Sequence, residues 1–336
     1  MLDALEKIYE LSKGETSFKD LISAEICTDI VHARKTYPIY SFEIGSKDPT
    51  APVLFLVGGV HGLERIGSQL AWSLLKTTID RLLWDETLKL VFEKIKLVCI
   101  PLLNPYGYTH FSRSNPNGVD LMRNSRVIAT EDTPYLLGGH RYTNKIPWFQ
   151  GEKGILEKEL QFLEKIFNRT TDKSSTIISL DFHSGFGMVD RLWFPFSYTS
   201  KPFTQLSQLH ALIYLFEQTH PYHIYKIEPQ SEGYLLNGDI WDQLFLETHQ
   251  RNPGKIFIPL TLEMGSWNWV RKNPLQIFSK QGIFNPMKEH RIKRTYRRHH
   301  LLFDFLLKAT YSQSAWTGLD QHNQIRNENL ALKRWY

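Results

Sequence analysis

Four short apolar runs each lead to a polar residue, and this pattern constrains the fold more than any other feature of the chain. The runs and the residues that follow them are Val53–Val57 before His61, Leu97–Leu103 before Asn104, Ile177–Phe182 before His183, and Ile256–Leu262 before Glu263. Short, β-branched and nearly uninterrupted apolar runs are typical of strands in a sheet that is covered on both faces. Ligands of such sheets bind beyond the carboxyl ends of the strands. We therefore expect the functional site at that edge of the sheet.

Helical segments alternate with these strands. Ile66, Leu70 and Leu74 share one face of a predicted helix, and a second apolar face runs from Leu156 to Phe167. The alternation predicts an α/β fold, a single domain with a mixed, mostly parallel twisted sheet and helices on both faces. We predict an N-terminal helix and edge segment over 1–45, the main body of the domain over 46–310, and a polar, partly flexible appendage over 311–336.

Bulk properties narrow the class of protein. Of 336 residues, 42% are hydrophobic, which is enough for one sizeable core. The two cysteines, Cys27 and Cys99, are expected to be free thiols in a reducing compartment. The N-terminus shows no basic stretch followed by an apolar one, and no run approaches the roughly 18 apolar residues of a membrane span. These observations predict a cytoplasmic protein without a membrane partner.

The net charge of +5 is modest, and part of it comes from the basic cluster Arg291–Arg298 on a predicted helix. Such a cluster is more typical of a solvated helix face than of a nucleic-acid surface, so no nucleic-acid partner is predicted. His299 and His300 follow this cluster without a carboxylate at ligand spacing. We expect both to be surface histidines.

His61 and Glu64 lie three residues apart, at a spacing that lets both side chains of a helical turn bind one metal ion. About one such pair is expected by chance in a chain of this composition, and in isolation a helix N-terminus with an acidic first turn explains it better than a metal site does. The context favours the metal, because a second strand brings His183 to the same edge. Two histidines, one carboxylate and an open position for water make up a catalytic zinc site.

Glu263 ends a strand of mostly apolar residues, where an acidic side chain is costly unless it has a role. As a general base it would take a proton from the zinc-bound water and pass it to the leaving amine. The structural alternative is a carboxylate that is paired with a nearby arginine.

The chain resembles the M14 zinc carboxypeptidase family, and it is most similar to the small bacterial M14-like branch. The similarity runs from about residue 51 to residue 265, and its elements occur in the order of the family. They are G-x-H-G-x-E-x-x-G at Gly59–Gly67, N-P-x-G at Asn104–Gly107, the segment Arg113–Asn124, the strand of His183 and the strand of Glu263. The resemblance implies a zinc carboxypeptidase-like, phosphorylase/hydrolase-like fold.

The resemblance also implies a role for each site residue. His61, Glu64 and His183 would bind one Zn²⁺ per chain, and Glu263 would be the base. Arg113 would help to stabilise the oxyanion, and Arg123, with Asn124 beside it, would bind the substrate carboxylate. Asp120 would orient the ring of His61. Tyr234 would be a mobile residue that covers the bound substrate, and Trp241 would form the base of the side-chain pocket. Asp120 is equally well explained as a turn residue, and Tyr234 and Trp241 as core or rim aromatics.

One departure from the family pattern affects the substrate. The segment D-L-N-R-N of the family reads D-L-M-R-N here, so Met122 replaces an asparagine that helps to hold the substrate carboxylate. A thioether cannot donate a hydrogen bond, although Arg123 can hold a carboxylate alone. The leading hypothesis is a metallocarboxypeptidase-like hydrolase that acts on a peptide or peptide-like substrate with a free carboxylate. The alternatives are a zinc deacylase or amidase of small N-acyl amino acids and a non-catalytic binding protein.

Overall fold

The computed structural model describes residues 1–13 and 21–336. Part of the predicted N-terminal segment, residues 14–20, lies outside the described residues. The strands are β1 (Ile22–Cys27), β2 (Val31–His32), β3 (Lys35–Thr36), β4 (Ile39–Gly45), β5 (Val53–Gly58), β6 (Lys96–Ile100), β7 (Thr176–Ser184), β8 (Arg191–Phe194), β9 (Lys226–Pro229) and β10 (Ile256–Met264).

Strands β1 to β5 follow one another without a helix, and from β5 onward helices separate most of the strands, as the sequence predicts. They are α1 (Leu2–Lys13), α2 (Arg65–Leu82), α3 (Glu86–Phe92), α4 (Pro105–His110), α5 (Lys158–Thr171), α6 (Leu206–Thr219), α7 (Ile240–Arg251), α8 (Trp267–Lys272), α9 (Glu289–Tyr311), α10 (Ser314–Thr317) and α11 (Gln321–Trp335). Short 3₁₀ turns occur at Leu121–Arg123, Gln230–Glu232 and Pro274–Phe278.

Eight strands form one mixed sheet in the order β1-β4-β6-β5-β7-β10-β8-β9. Its central strands β6, β5, β7 and β10 are parallel, β8 and β9 are parallel to each other, and antiparallel pairs join β4 to β6 and β8 to β10. Every residue of β5 and β7 is buried, because helices cover both faces. The predicted α/β fold with a mostly parallel sheet is therefore confirmed.

Different helices pack against the two faces of β5. The ring of Phe55 packs against Phe167 of α5 and Trp241 of α7. Gly58, which faces the other side because strand residues alternate, lies so close to α2 that a Cβ atom there would be 2.9 Å from the Cβ of Ala71. This tight packing fixes the position of the turn between β5 and α2, where the metal-ligand motif lies.

The C-terminal residues 311–336 have a polar composition, but the structure does not leave them extended. They form α10 and α11, and α11 packs along α6. Trp316 and Trp335 are buried, and their Nε1 atoms donate to the carbonyl oxygens of Ala309 and Ile227, each at 2.9 Å. A few large apolar residues on otherwise polar helices are enough to dock this segment. The division into parts at residues 45 and 310 stays a prediction.

The expectation that His299 lies on the surface is wrong. Its side chain is buried rather than on the surface, and the Tyr225 hydroxyl lies 2.9 Å from its Nδ1 atom. Burial lowers the pKa of His299 to about 4. Over residues 1–13 and 21–336, the helices are too short or too polar for any of them to cross a membrane.

Candidate metal centre and substrate pocket

The turn between β5 and α2 carries His61 and Glu64. The pair lies on this turn rather than inside the helix, and the Glu64 N–H donates to the His61 carbonyl at 3.1 Å. Gly62 is required within the turn, because a Cβ atom there would be 2.1 Å from the backbone of Gly107. Asn285, far along the chain, clamps the same turn: its side chain accepts from Ile66 N–H at 2.9 Å and donates to the Leu63 carbonyl at 2.8 Å.

His61, Glu64 and His183 come together at the carboxyl edge of the sheet. His61 Nδ1 lies 2.8 Å from Glu64 Oε1, and His183 Nδ1 lies 3.3 Å from Glu64 Oε2. All three side chains are buried, and one ligand atom from each lies within 4.8 Å of the others. Although burial opposes it, the two histidines hold the pKa of Glu64 well below its usual range. Glu64 is therefore ionised, as a metal ligand must be.

Each histidine turns its second ring nitrogen toward a buried aspartate. His61 Nε2 lies 2.9 Å from Asp120 Oδ1, and His183 Nε2 lies 2.8 Å from Asp181 Oδ2. Such carboxylates fix the orientation of metal-binding histidines and the nitrogen that faces the metal. The donor set and its outer carboxylates together fit a zinc ion held by two Nδ1 atoms and one carboxylate.

Arg113 connects the metal-ligand cluster to Asp120. Its Nε atom donates to Asp120 Oδ2 at 2.8 Å, and its Nη1 atom donates to Glu64 Oε1 at 3.2 Å. Asp120 also begins the 3₁₀ turn Leu121–Arg123, where its side chain accepts from Met122 N–H at 3.0 Å. The two explanations of Asp120 therefore coexist, since one carboxylate orients His61 and caps the turn.

Glu263 lies beside His183, because the two residues are paired across the parallel strands β10 and β7. Its carboxylate is buried and accepts from Phe186 N–H at 2.9 Å. Within the described part of the chain it forms no ion pair, so the alternative of an arginine-paired structural carboxylate is not supported. Burial and the charge of Glu64 raise the pKa of Glu263 to about 8.

A cavity of about 430 Å³ opens over these residues. That volume is in the range of pockets that hold small ligands. Its polar lining includes the three candidate metal ligands, Arg113, Arg123, Tyr234 and Glu263, and its walls are mostly apolar and aromatic, with Leu137, Trp148, Leu236, Trp267 and Phe284 among them. One pocket thus brings together the candidate metal centre, the candidate base and two arginines.

Arg123 is buried in the wall of this pocket, with only 2% of its surface exposed. Its Nε atom donates to the Leu137 carbonyl at 3.1 Å and its Nη1 atom to the Met122 carbonyl at 3.2 Å. Its Nη2 atom is buried and has no hydrogen-bond partner within the part of the chain that the structure describes. The ring of Tyr234 lies 5.9 Å from the guanidinium carbon. A guanidinium with an unused donor can bind an anion, and the substrate-binding role of Arg123 stays a prediction.

The substrate-binding roles of Trp241 and Asn124 stay predictions. Trp241 lines a smaller cavity that shares Trp193 and Asp239 with the substrate pocket, and its Nε1 atom donates to Asp181 Oδ2 at 2.8 Å. It therefore supports the aspartate that orients His183. Asn124 is fixed in the loop structure, because its Nδ2 atom donates to the carbonyls of Gln150 and Ile155 and its Oδ1 atom accepts from Glu157 N–H. Neither Trp241 nor Asn124 lines the cavity of about 430 Å³.

Several residues of the site were not predicted from the sequence. Asp181 had a readable signal, because residues two apart on a strand face the same side and Asp181 precedes His183 by two. Asn285, Trp148 and Phe284 had none, since each reaches the site from a distant loop.

The fold and the site define an α/β protein in which two histidines and one carboxylate lie close enough together to hold a metal ion. This donor set is typical of catalytic zinc sites. A family model described as zinc carboxypeptidase, peptidase M14, matches residues 25–269. The chain belongs to this family, as its motifs led us to expect.

Individual relatives agree with this assignment. Carboxypeptidase SOL1 of Arabidopsis thaliana is 31% identical over 90 residues, which are 26% of this chain and 18% of that protein, so the match spans less than a fifth of it. The structure of thrombin activatable fibrinolysis inhibitor aligns with a TM-score of 0.64 at 17% identity, covering 94% of this chain and 73% of that one. Carboxypeptidase A from Helicoverpa armigera aligns with a TM-score of 0.64 at 17% identity, covering 92% and 71%. At this identity the two structures show the shared fold.

Proposed function

We propose that the protein is a zinc-dependent hydrolase that removes the C-terminal residue from a peptide. One observation carries the proposal: Arg123, whose buried Nη2 atom has no hydrogen-bond partner among the described residues, lines the same cavity as the metal-ligand cluster and Glu263. A peptide with a free C-terminus has a carboxylate for Arg123 and, one residue away, a scissile carbonyl for the metal centre. A buried, uncompensated arginine is costly unless an anion binds it.

His61 Nδ1, Glu64 and His183 Nδ1 would hold one zinc ion, with Asp120 and Asp181 orienting the two rings. When bound by these residues, zinc would supply a Lewis acid for the scissile carbonyl and for the attacking water.

Glu263 would act as the general base and then as the general acid. It lies beside His183, and its hydrogen bond from Phe186 N–H fixes the carboxylate without neutralising it. In the first step Glu263 accepts a proton from the attacking water, and in the second it donates that proton to the leaving amine. Arg113, whose guanidinium is charged and lies at the cavity wall, would stabilise the negative charge on the carbonyl oxygen.

Met122 and Tyr234 complete the proposed substrate site. Met122 lies in the cavity wall next to Arg123, where it offers a thioether in place of a hydrogen-bond donor. Arg123 would therefore hold the substrate carboxylate without side-chain help from residue 122. Tyr234, which lines the cavity across from the guanidinium, would cover the bound C-terminal residue.

We further propose that the protein acts in a reducing compartment such as the cytoplasm. Cys27 and Cys99 are both free, and burial raises the pKa of the Cys99 thiol, which makes it unreactive. Expression in reducing and oxidising compartments with measurement of free thiols checks this proposal; a disulfide between two protein copies in the active form would contradict it.

The experiment that tests the function combines metal analysis with a substrate panel. The purified protein is loaded with zinc and assayed on peptides that vary at the C-terminal residue, on their C-terminal amides, and on N-acyl amino acids. Release of the last residue from free acids by the parent, and its loss in a Glu263→Gln variant that still holds zinc, are the expected results. Activity on N-acyl amino acids alone would show a deacylase instead.

A further inference from the structure

A second cavity, of about 150 Å³, lies between α8 and the first half of α9. Five of its lining residues are basic, namely Lys272, His290, Arg291, Arg294 and Arg298, and none of the residues that line it is acidic. This site is separate from the candidate metal centre, and the proposed hydrolase activity does not use it.

The surrounding sequence concentrates positive charge. Residues 271–298 contain nine lysines and arginines and one acidic residue, Glu289, whereas the whole chain has a net charge of only +5. The rest of the chain is therefore net negative. A positive field that is confined to one region, with a cavity at its centre, attracts anions to that cavity.

Most of these cations have no carboxylate partner. Arg298 pairs with Asp190 at 3.0 Å, at one end of the cavity. Arg291 donates from Nη1 and Nη2 to two neutral carbonyl oxygens, those of Trp269 and Lys272, each at 3.2 Å. Across residues 1–13 and 21–336, Lys272 and Arg294 take part in no ion pair. Three full cations thus face the cavity without a counter-charge.

We propose that this cavity binds a phosphate group. Its volume is below the roughly 300 Å³ of the smallest pockets that hold drug-sized ligands, so a small anion fits it best. A phosphate carries up to two negative charges and several acceptor oxygens, which match arginine forks and a lysine. A single carboxylate would leave two of the three cations uncompensated.

The cavity lies close to the substrate pocket. α8 begins at Trp267, which lines the substrate pocket, and ends at Lys272, which lines the basic cavity. Five residues of helix span about 8 Å at 1.5 Å per residue. The 3₁₀ turn after α8 also exposes Leu275 and Phe278, at 77% and 86%. The phosphate group therefore has two candidate sources, a soluble phosphate compound or a phospholipid headgroup.

In the first experiment, inorganic phosphate is titrated into the full-length protein in a phosphate-free buffer of low ionic strength. The heat of binding is measured by calorimetry. Saturable binding is expected, and Arg294→Ala should weaken it at least tenfold. Arg297→Ala is the matched control. It removes the same charge from an exposed position on α9, but Arg297 does not line the cavity. The control should change the affinity less than twofold.

A second experiment identifies the source. The protein is sedimented with phosphatidylcholine vesicles that contain or lack phosphatidic acid. Sedimentation that needs phosphatidic acid, is competed by phosphate and is lost in Arg294→Ala indicates a lipid headgroup, whereas phosphate binding without sedimentation indicates a soluble ligand. Two results would overturn the proposal: no saturable phosphate binding up to millimolar concentration, or equal weakening by Arg294→Ala and Arg297→Ala, which would mean a diffuse surface charge.

Discussion

Arg123 should determine whether the protein distinguishes a free C-terminus from its amide. The parent is compared with Arg123→Ala and Arg123→Lys on one peptide and on its C-terminal amide. Over residues 1–13 and 21–336 the Nη2 atom has no hydrogen-bond partner, so a substrate carboxylate that reaches it would form at least one charge-assisted hydrogen bond without displacing another. Such a bond is worth roughly 1.5–3 kcal/mol. Since 1.4 kcal/mol is a factor of ten, the parent should favour the acid by about 10- to 150-fold in kcat/KM.

The measurement is the ratio of kcat/KM for acid and amide within each variant. This ratio cancels any loss of folded protein, which matters because Arg123 also donates to the carbonyls of Leu137 and Met122. Arg123→Ala should bring the ratio close to one, and Arg123→Lys should retain part of the preference, because the lysine keeps the charge but not the planar fork. An unchanged acid preference in Arg123→Ala would refute the assignment of Arg123 as the anchor.

Met122→Asn provides the complementary test. An asparagine beside Arg123 could donate a second hydrogen bond to the carboxylate, so KM for the free acid should fall while KM for the amide changes little. If the parent cleaves the amide as well as the acid and Met122→Asn brings no gain, the site has a different anchor. Indifference to the carboxylate in all the variants would exclude an exopeptidase.

Five further substitutions test the site and the fold. Glu263→Gln keeps the shape but cannot accept a proton, so zinc should remain bound while turnover falls by roughly 10²–10⁴; parental activity in this variant would exclude Glu263 as the base. His183→Ala should abolish most zinc binding, and Asp181→Asn should weaken it by about 10- to 100-fold, as read by competition with a chromogenic chelator. If the His183→Ala variant still binds one zinc ion per chain, His183 is not a ligand. Burial raises the pKa of Glu159 from 4.5 to about 7, so the folded state binds this proton more tightly than the unfolded state and stability should fall as pH rises through that interval. Glu159→Gln should remove this part of the pH dependence, roughly 3 kcal/mol, in urea unfolding at pH 5 and pH 8; identical pH dependence in both proteins would contradict it. Gly67→Ala places a Cβ atom 2.4 Å from the Phe182 carbonyl oxygen and should lower the free energy of unfolding by about 1–3 kcal/mol, whereas a neutral result would mean that α2 shifts freely on β7.

The sequence by itself determined the sheet and the main residues of the site. Uninterrupted apolar runs identify buried parallel strands, and the residues that follow them necessarily meet at one edge, because parallel neighbours end on the same side. His183 and Glu263 are adjacent for this reason, and the register of β7 and β10 follows the two runs. Local spacing was sufficient wherever the relevant contacts lie within a strand and its turn.

Only the tertiary structure decided the roles that depend on contacts between distant segments. Trp241 contacts Asp181, 60 residues away, and Asn285 clamps a turn more than 200 residues earlier in the chain. Neither contact leaves a periodic signal, because periodicity records which face of an element is buried and not which partner buries it. The C-terminal helices show the same limit. Their composition is polar, and two buried tryptophans attach them to the domain through surfaces that form only when the chain has folded.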